Sequence, residues 1–200
     1  MSSIAISPDL GSFFEEVVTR ALRDERVEAT DAACHYLVGV LADYAHPERG
    51  AEAAFQRPLT FLLQDALAAT GAERFRRLRA LGDGVLYALG FFEPSVTRHG
   101  AGRGYALSVG SAAYNHASAM LRVGHGAAAT DVLGELASKY ERFVGVVSAV
   151  ADAVLANERR SCPAGIVSLY TRWLETGSPR LAEELAGLGV VPLRTPGGTN

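Results

Sequence analysis

Cysteine is nearly missing from this chain: Cys34 and Cys162 are the two in 200 residues. Neither lies in a CxxC or Cys/His cluster, which excludes a disulfide scaffold and a zinc finger. Two thiols far apart in sequence fit a reducing compartment. A surplus of charge is missing too. The 19 basic and 22 acidic residues leave a formal net charge of −3, which argues against a dedicated nucleic-acid binder. No charge-free run of about 18 apolar residues occurs. The apolar stretch 144–155 is short and broken by Asp152, so neither a membrane span nor a membrane partner is expected. Met1 to Pro8 lacks the basic and apolar segments of a secretory leader, and a cytoplasmic location is expected. There is no Gly-x-Ser-x-Gly elbow and no Walker A ending, so nucleophilic and P-loop chemistry have no support.

Helix signals fill the space these absences leave. Hydrophobic residues make up 48% and charged residues 20%, which excludes a disordered chain. Ser7-Pro8-Asp9 reads as a helix start, followed by Phe13, Phe14, Val17, Val18, Ala21 and Leu22 at helical spacing. Thr30-Asp31 starts a second helix, with Ala33, Leu37, Val40, Leu41 and Tyr44 on one side. Pro58 opens a short helix that stops near Thr70-Gly71. Ala72 begins another, whose seam Phe75, Leu78, Gly82, Val85, Leu89 and Phe92 includes a glycine. Gly82 there suggests the close approach of a neighbouring backbone. Residues 93–104 read as a long connection and 105–122 as a central helix with few polar positions.

The clearest element begins at Thr130-Asp131. Leu133, Leu136, Tyr140, Phe143, Val147, Val150 and Val154 repeat at alternating spacings of three and four. That stripe predicts one long helix over 131–157, roughly 40 Å at 1.5 Å per residue, serving either interior packing or a dimer seam. Pro163 opens a helix closed by Gly177, and Ser178-Pro179 caps the last, with Leu181, Leu185 and Leu188 inward. The expected architecture is all-α: a single-domain helical bundle of about eight helices over 1–194, with a tail at 195–200.

Leu81-Gly82-Asp83-Gly84-Val85-Leu86-Tyr87-Ala88-Leu89-Gly90-Phe91-Phe92, with Gly104-Tyr105 and Gly110-Ser111-Ala112-Ala113-Tyr114, resembles a group of uncharacterised helical bacterial proteins. The resemblance spans residues 81–114. It implies a helical fold and carries no chemistry. High Ala, Gly and Arg usage suggests a bacterial source.

Candidate site residues follow from chemistry set on these helices. His116 shares a helical face with Tyr105, Val109, Ala112, Ala113 and Met120. A histidine on that face is a core residue bonded to a partner such as Asp83 or a tyrosine, or else an axial ligand to a flat cofactor such as haem. Asp83 lies between two glycines, off the seam and one turn before Tyr87. It is a buried functional carboxylate or a local partner of Tyr87. A ligand site would therefore draw on His116, Asp83, Tyr87 and Tyr105. The loop Arg98-His99-Gly100-Ala101-Gly102-Arg103 precedes a helix start and could hold an anion or an acidic partner through Arg98, His99 and Arg103. Asp31/His35 and Asp43/His46 are helix-spaced pairs, but they face outward and lack the Glu-x-x-His of di-iron bundles, so no metal is expected. Arg74, Arg76, Arg77 and Arg79 form a basic, solvated face. The expected function is contact with another protein or with itself, in regulation or assembly. The alternative is a sensor or carrier holding a small apolar or haem-like ligand near His116.

Overall fold

Capping chemistry sets where several helices begin. Thr30 Oγ1 accepts the Ala33 N–H at 3.2 Å, and Asp131 Oδ1 accepts the Gly134 N–H at 2.8 Å. Each side chain satisfies a donor that a first helical turn leaves unpaired. The computed structural model describes residues 8–44, 57–98, 102–125, 131–159, 164–188 and 190. Among these residues the chain is all-α, with nine helices and no strand. They are α1 (Pro8–Asp24), α2 (Asp31–Tyr44), α3 (Leu59–Ala68), α4 (Gly71–Arg98), α5 (Arg103–His125), α6 (Val132–Ser138), α7 (Tyr140–Arg159), α8 (Ala164–Thr176) and α9 (Pro179–Gly187). None is long and apolar enough to cross a membrane. The expected loop 46–57, for all but Arg57, and the expected tail at 195–200 lie outside the described residues.

The chain divides into two compact units, Met1–Ala149 and Val150–Asn200. In the first, α4 packs most extensively on α5 and also meets α3 and α2, while α6 packs on α5 and α2. The segment Leu81–Gly90 is buried at every position. The centre of this unit is therefore the middle of α4. α5, expected to be central, exposes Ser108, Asn115, His116, Leu121 and Arg122 along its length.

Two expected elements are redrawn. The long helix over 131–157 is interrupted at Lys139, whose backbone sits at φ −115°, ψ 23°. Ser138 Oγ donates to the Glu135 carbonyl at 2.8 Å, and the Lys139 N–H reaches the same oxygen at 3.2 Å. A hydroxyl competing for a helix carbonyl loosens that turn. The apolar stripe survives the break: Leu133, Leu136, Tyr140, Phe143 and Val147 are all buried within the chain, so in this unit it is interior packing. The second change is at 93–98, expected as a connection. α4 instead runs to Arg98, with a break at Phe92 (φ −135°, ψ 32°). Pro94 explains it: a proline has no N–H to give to the carbonyl of Gly90, four residues earlier. Proline is tolerated in the first turn of the helical piece that follows.

The second unit holds a small hairpin, α8–α9, turned at Gly177 in a left-handed conformation (φ 66°). Leu169, Trp173, Leu181 and Leu185 form its core. Leu188, expected inward, is 44% exposed, because it follows the last helical turn. The Asp152 carboxylate accepts from Arg172 Nε at 2.9 Å and from Ser178 Oγ at 3.0 Å. That polar anchor fixes the start of α9.

Glycines on α4 and α5 are seats for tyrosine rings. A Cβ at Gly82 would overlap the Tyr114 ring, and one at Gly110 would overlap the Tyr140 hydroxyl. The neighbour at Gly82 is thus a side chain, where the sequence suggested a backbone. Gly39 on α2 is exposed and has nothing within 4 Å of its Cβ position. Gly82→Ala is expected to lower stability by about 1–3 kcal/mol through overpacking, despite the roughly 1 kcal/mol by which alanine favours a helix. Gly39→Ala is expected to raise it by about 0.5–1 kcal/mol. Urea denaturation of the two variants checks this opposition in sign.

Candidate functional site: a buried aspartate and its tyrosines

α4 carries Asp83 in its wholly buried stretch Leu81–Gly90, where the residue is only 8% exposed. Helices that cross α4 supply its hydrogen-bond donors. Tyr36 on α2 donates to Asp83 Oδ1 at 2.6 Å, and Tyr114 on α5 donates to the same oxygen at 2.7 Å. Arg79, one turn earlier on α4, places Nε 3.4 Å from Oδ2. It also donates to the Tyr36 hydroxyl at 3.0 Å and lies over that ring, 5.3 Å from its centroid. Beside this group, Tyr140 at the start of α7 donates to the Gly82 carbonyl at 2.8 Å. The Tyr114 ring meets Tyr140 edge to face at 5.6 Å and Tyr36 at 6.3 Å, separations typical of favourable aromatic pairs.

Electrostatics follow from burial. Loss of water raises the Asp83 carboxyl above the usual aspartate range, and the two hydroxyls and Arg79 offset this only in part. Burial, with the neighbouring carboxylate, also holds the Tyr36, Tyr114 and Tyr140 phenols above the ordinary tyrosine value. These phenols donate and do not act as bases. The cluster resembles a set of ties between α2, α4, α5 and α7 more than a catalytic pair.

The sequence candidates scatter around it. Asp83 is buried as expected, but its partner is not Tyr87. Tyr87 instead stacks between Tyr44 at 4.9 Å and Phe91 at 4.5 Å. His116 is exposed on α5 and is neither a core residue nor a partner of Asp83. Tyr105 is 43% exposed and shares a 2.6 Å hydrogen bond with Thr60 on α3. Arg103 pairs with Glu141 at 2.6 Å; His99 and the side chain of Arg98 lie outside the described residues. Asp31, His35 and Asp43 are exposed; His46 and Cys162 lie outside the description. Arg76 and Arg77 pair with Glu73 at 2.8 and 2.7 Å, whereas Arg79 leaves the solvated face for Tyr36 and Asp83. Cys34 is partly buried, and burial pushes its thiol up. Among the described residues no group of three or more His, Cys, Asp or Glu is placed to hold a metal ion.

Sequence reasoning missed Tyr36, Tyr114, Tyr140 and Arg79 as partners. The tyrosine hydroxyls reach residues 47, 31 and 58 positions away, so no local spacing betrays them. The usable signal was Gly82-Asp83-Gly84 itself, a charge set among residues too small to shield it. Comparison with family models, curated proteins and solved structures finds no match.

A second polar knot ties the α1–α2 connection to α6. Thr30 donates to Glu135 through its hydroxyl at 2.6 Å and its N–H at 3.2 Å. Lys139 Nζ bridges Glu135 at 3.1 Å and the Glu28 carbonyl at 2.8 Å. Burial acts to raise Glu135, but the Thr30 and Lys139 bonds outweigh it and hold the carboxyl below the usual glutamate range.

Two outcomes are expected. Asp83→Ala leaves the buried Tyr114 hydroxyl without an acceptor and should cost about 2–4 kcal/mol, whereas Asp83→Asn keeps an acceptor oxygen and should cost less than half as much; chemical denaturation measures both. Glu135→Gln should cost about 0.5–1.5 kcal/mol at neutral pH. Its folded carboxyl is depressed, so the stabilisation is present above the ordinary glutamate value and is lost as pH falls through the folded one. The gap in Tm between wild type and variant should therefore close on acidification.

Proposed function

We propose that this protein works through contact with another protein, a second copy of itself included, in a regulatory or assembly role. One observation carries the reading: three large aromatic side chains, one each on α3, α4 and α5, stand exposed. Phe61 is 51% exposed, Phe92 43% and Tyr105 43%. Tyr105 is bonded to Thr60, the residue before Phe61 on α3. Phe92 lies at the break in α4, and Tyr105 two residues after the start of α5. Aromatic side chains are enriched at protein interfaces relative to the rest of the surface. The polar chemistry points inward by contrast: Asp83 is enclosed by tyrosines that hold helices together. The ligand-carrier reading, based on His116 on a face of small residues, is the less favoured one, since the residue is exposed on α5. On the sequence grounds above, we place the contact in a bacterial cytoplasm.

Light scattering over a range of concentrations, with capture from a bacterial lysate, tests this. The expected result is self-association, or a reproducible partner, weakened about 30-fold by Phe61→Ser with Phe92→Ser, which corresponds to about 2 kcal/mol of hot-spot energy. A strict monomer that captures nothing, or a contact indifferent to both substitutions, would count against it.

A further inference from the structure

The two oxygens of Asp83 are served unequally. Oδ1 takes both tyrosine hydroxyls, at 2.6 and 2.7 Å. Oδ2 has the longer 3.4 Å contact to Arg79, whose side chain is 47% exposed. A guanidinium half in water is screened and makes a weak counter-ion for a buried carboxylate. Oδ2 is therefore where a proton relieves the site most. The two walls of the site also differ. Tyr114 is fully buried, while Tyr36 is only partly so and carries Arg79 on its hydroxyl and ring. Water reaches Asp83 most readily from the α2 side.

We infer that Asp83 is a proton-operated latch between α2 and the α4–α5 pair: with a proton on Oδ2 the α2 wall stays closed, and without it α2 opens more often to hydrate the carboxylate. The titratable and charged groups that face it are Tyr36 on α2, Arg79 on α4, Tyr114 on α5 and Tyr140 on α7. The phenols are held protonated by burial. Arg79 keeps its charge, since a guanidinium does not lose its proton in proteins. Asp83 is thus the group in this set that changes charge in acid. The sign follows from linkage. The closed site holds the carboxyl above its open value, so closure is strongest below the open value and weakens as pH rises through the closed one. The effect opposes that of Glu135, which weakens the neighbouring knot only in more acidic solution. The latch makes exposure of the α2 face a function of pH, and it stands independently of the contact surface proposed above.

Carbon-13 NMR of the carboxyl groups and native-state hydrogen exchange, both across about pH 4 to 8, test it on the full chain. Asp83 should titrate above the roughly 3.9 of a model peptide. Exchange of the α2 amides, corrected for intrinsic chemistry, should show opening that grows about threefold or more as pH rises. Each unit between closed and open values multiplies the growth by about ten. In Asp83→Asn that growth should vanish. In Tyr36→Phe, which folds without one donor to the carboxylate, the Asp83 titration should move further up. The inference is overturned if Asp83 titrates at or below the model-peptide value, if α2 opening is flat in the wild type, or if Asp83→Asn keeps the rise. Should that variant fail to fold, a Tyr36→Phe titration identical to wild type overturns it instead.

Discussion

A carboxylate taken out of water must be given donors, and in this fold that requirement falls on Asp83. The cost of burying such a charge runs to several kcal/mol even after relaxation. It is offset by hydroxyls that come from α2 and α5. The hydroxyls arrive only because the Tyr114 ring can come against α4 and its neighbours Tyr36 and Tyr140 can meet it edge to face. Tyr114 needs the missing side chain of Gly82, and Tyr140 needs that of Gly110 before it can reach the Gly82 carbonyl. One buried charge thus calls for a glycine and two tyrosines from α2, α4 and α5, while Tyr140, in the Gly110 seat, ties α7 to the Gly82 carbonyl next to it. Its counter-ion, Arg79, is the most exposed member of the group, and it connects the buried site to the outside.

The second unit solves a similar problem differently. Asp152 is also buried, but its arginine is buried with it: the two side chains are 11% and 12% exposed. A paired charge of that kind keeps its partner out of water, whereas Arg79 shares its charge with the solvent. The contrast separates an enclosed pair from a half-exposed one. Asp152 needs Arg172 and Ser178 for the α8–α9 hairpin to close, and Asp83 has an oxygen left for a proton. The outward surfaces carry a different message. Phe61, Phe92 and Tyr105 expose aromatic area on α3, α4 and α5, while Asp83 is buried, so the proposed contact and the proposed proton response call on different residues.

Much of the architecture was legible because it is local. Thr30 and Asp131 are caps whose hydrogen bonds span three residues, and the stripes at 14–21, 33–41 and 133–147 obey the helical period over a few turns. What failed was the placement of breaks and centres. Lys139 interrupts a stripe that periodicity carries straight through, because Ser138 competes for one carbonyl. Pro94 allows a further helical piece where a connection was expected. His116 was placed on an apolar face by its neighbours Val109 and Ala113, yet it sits at the exposed edge of that face. A helical wheel gives the angle of a residue and not how far the next helix extends over it. Asp83 stood out in the sequence and its partners did not, since a tyrosine at 36 and another at 114 meet it only after three helices have packed.

If the Asp83 hydroxyl bonds organise the first unit, the residues that make them are energetically coupled. A double-mutant cycle between Asp83→Ala and Tyr114→Phe, read by chemical denaturation, measures that coupling directly. The single changes should each be costly, and the double change should cost less than their sum by about 1 kcal/mol or more, because either substitution alone already breaks the shared bond. Costs that add to within about 0.5 kcal/mol would mean that Asp83 and Tyr114 are merely neighbours, and the account would fail at its centre.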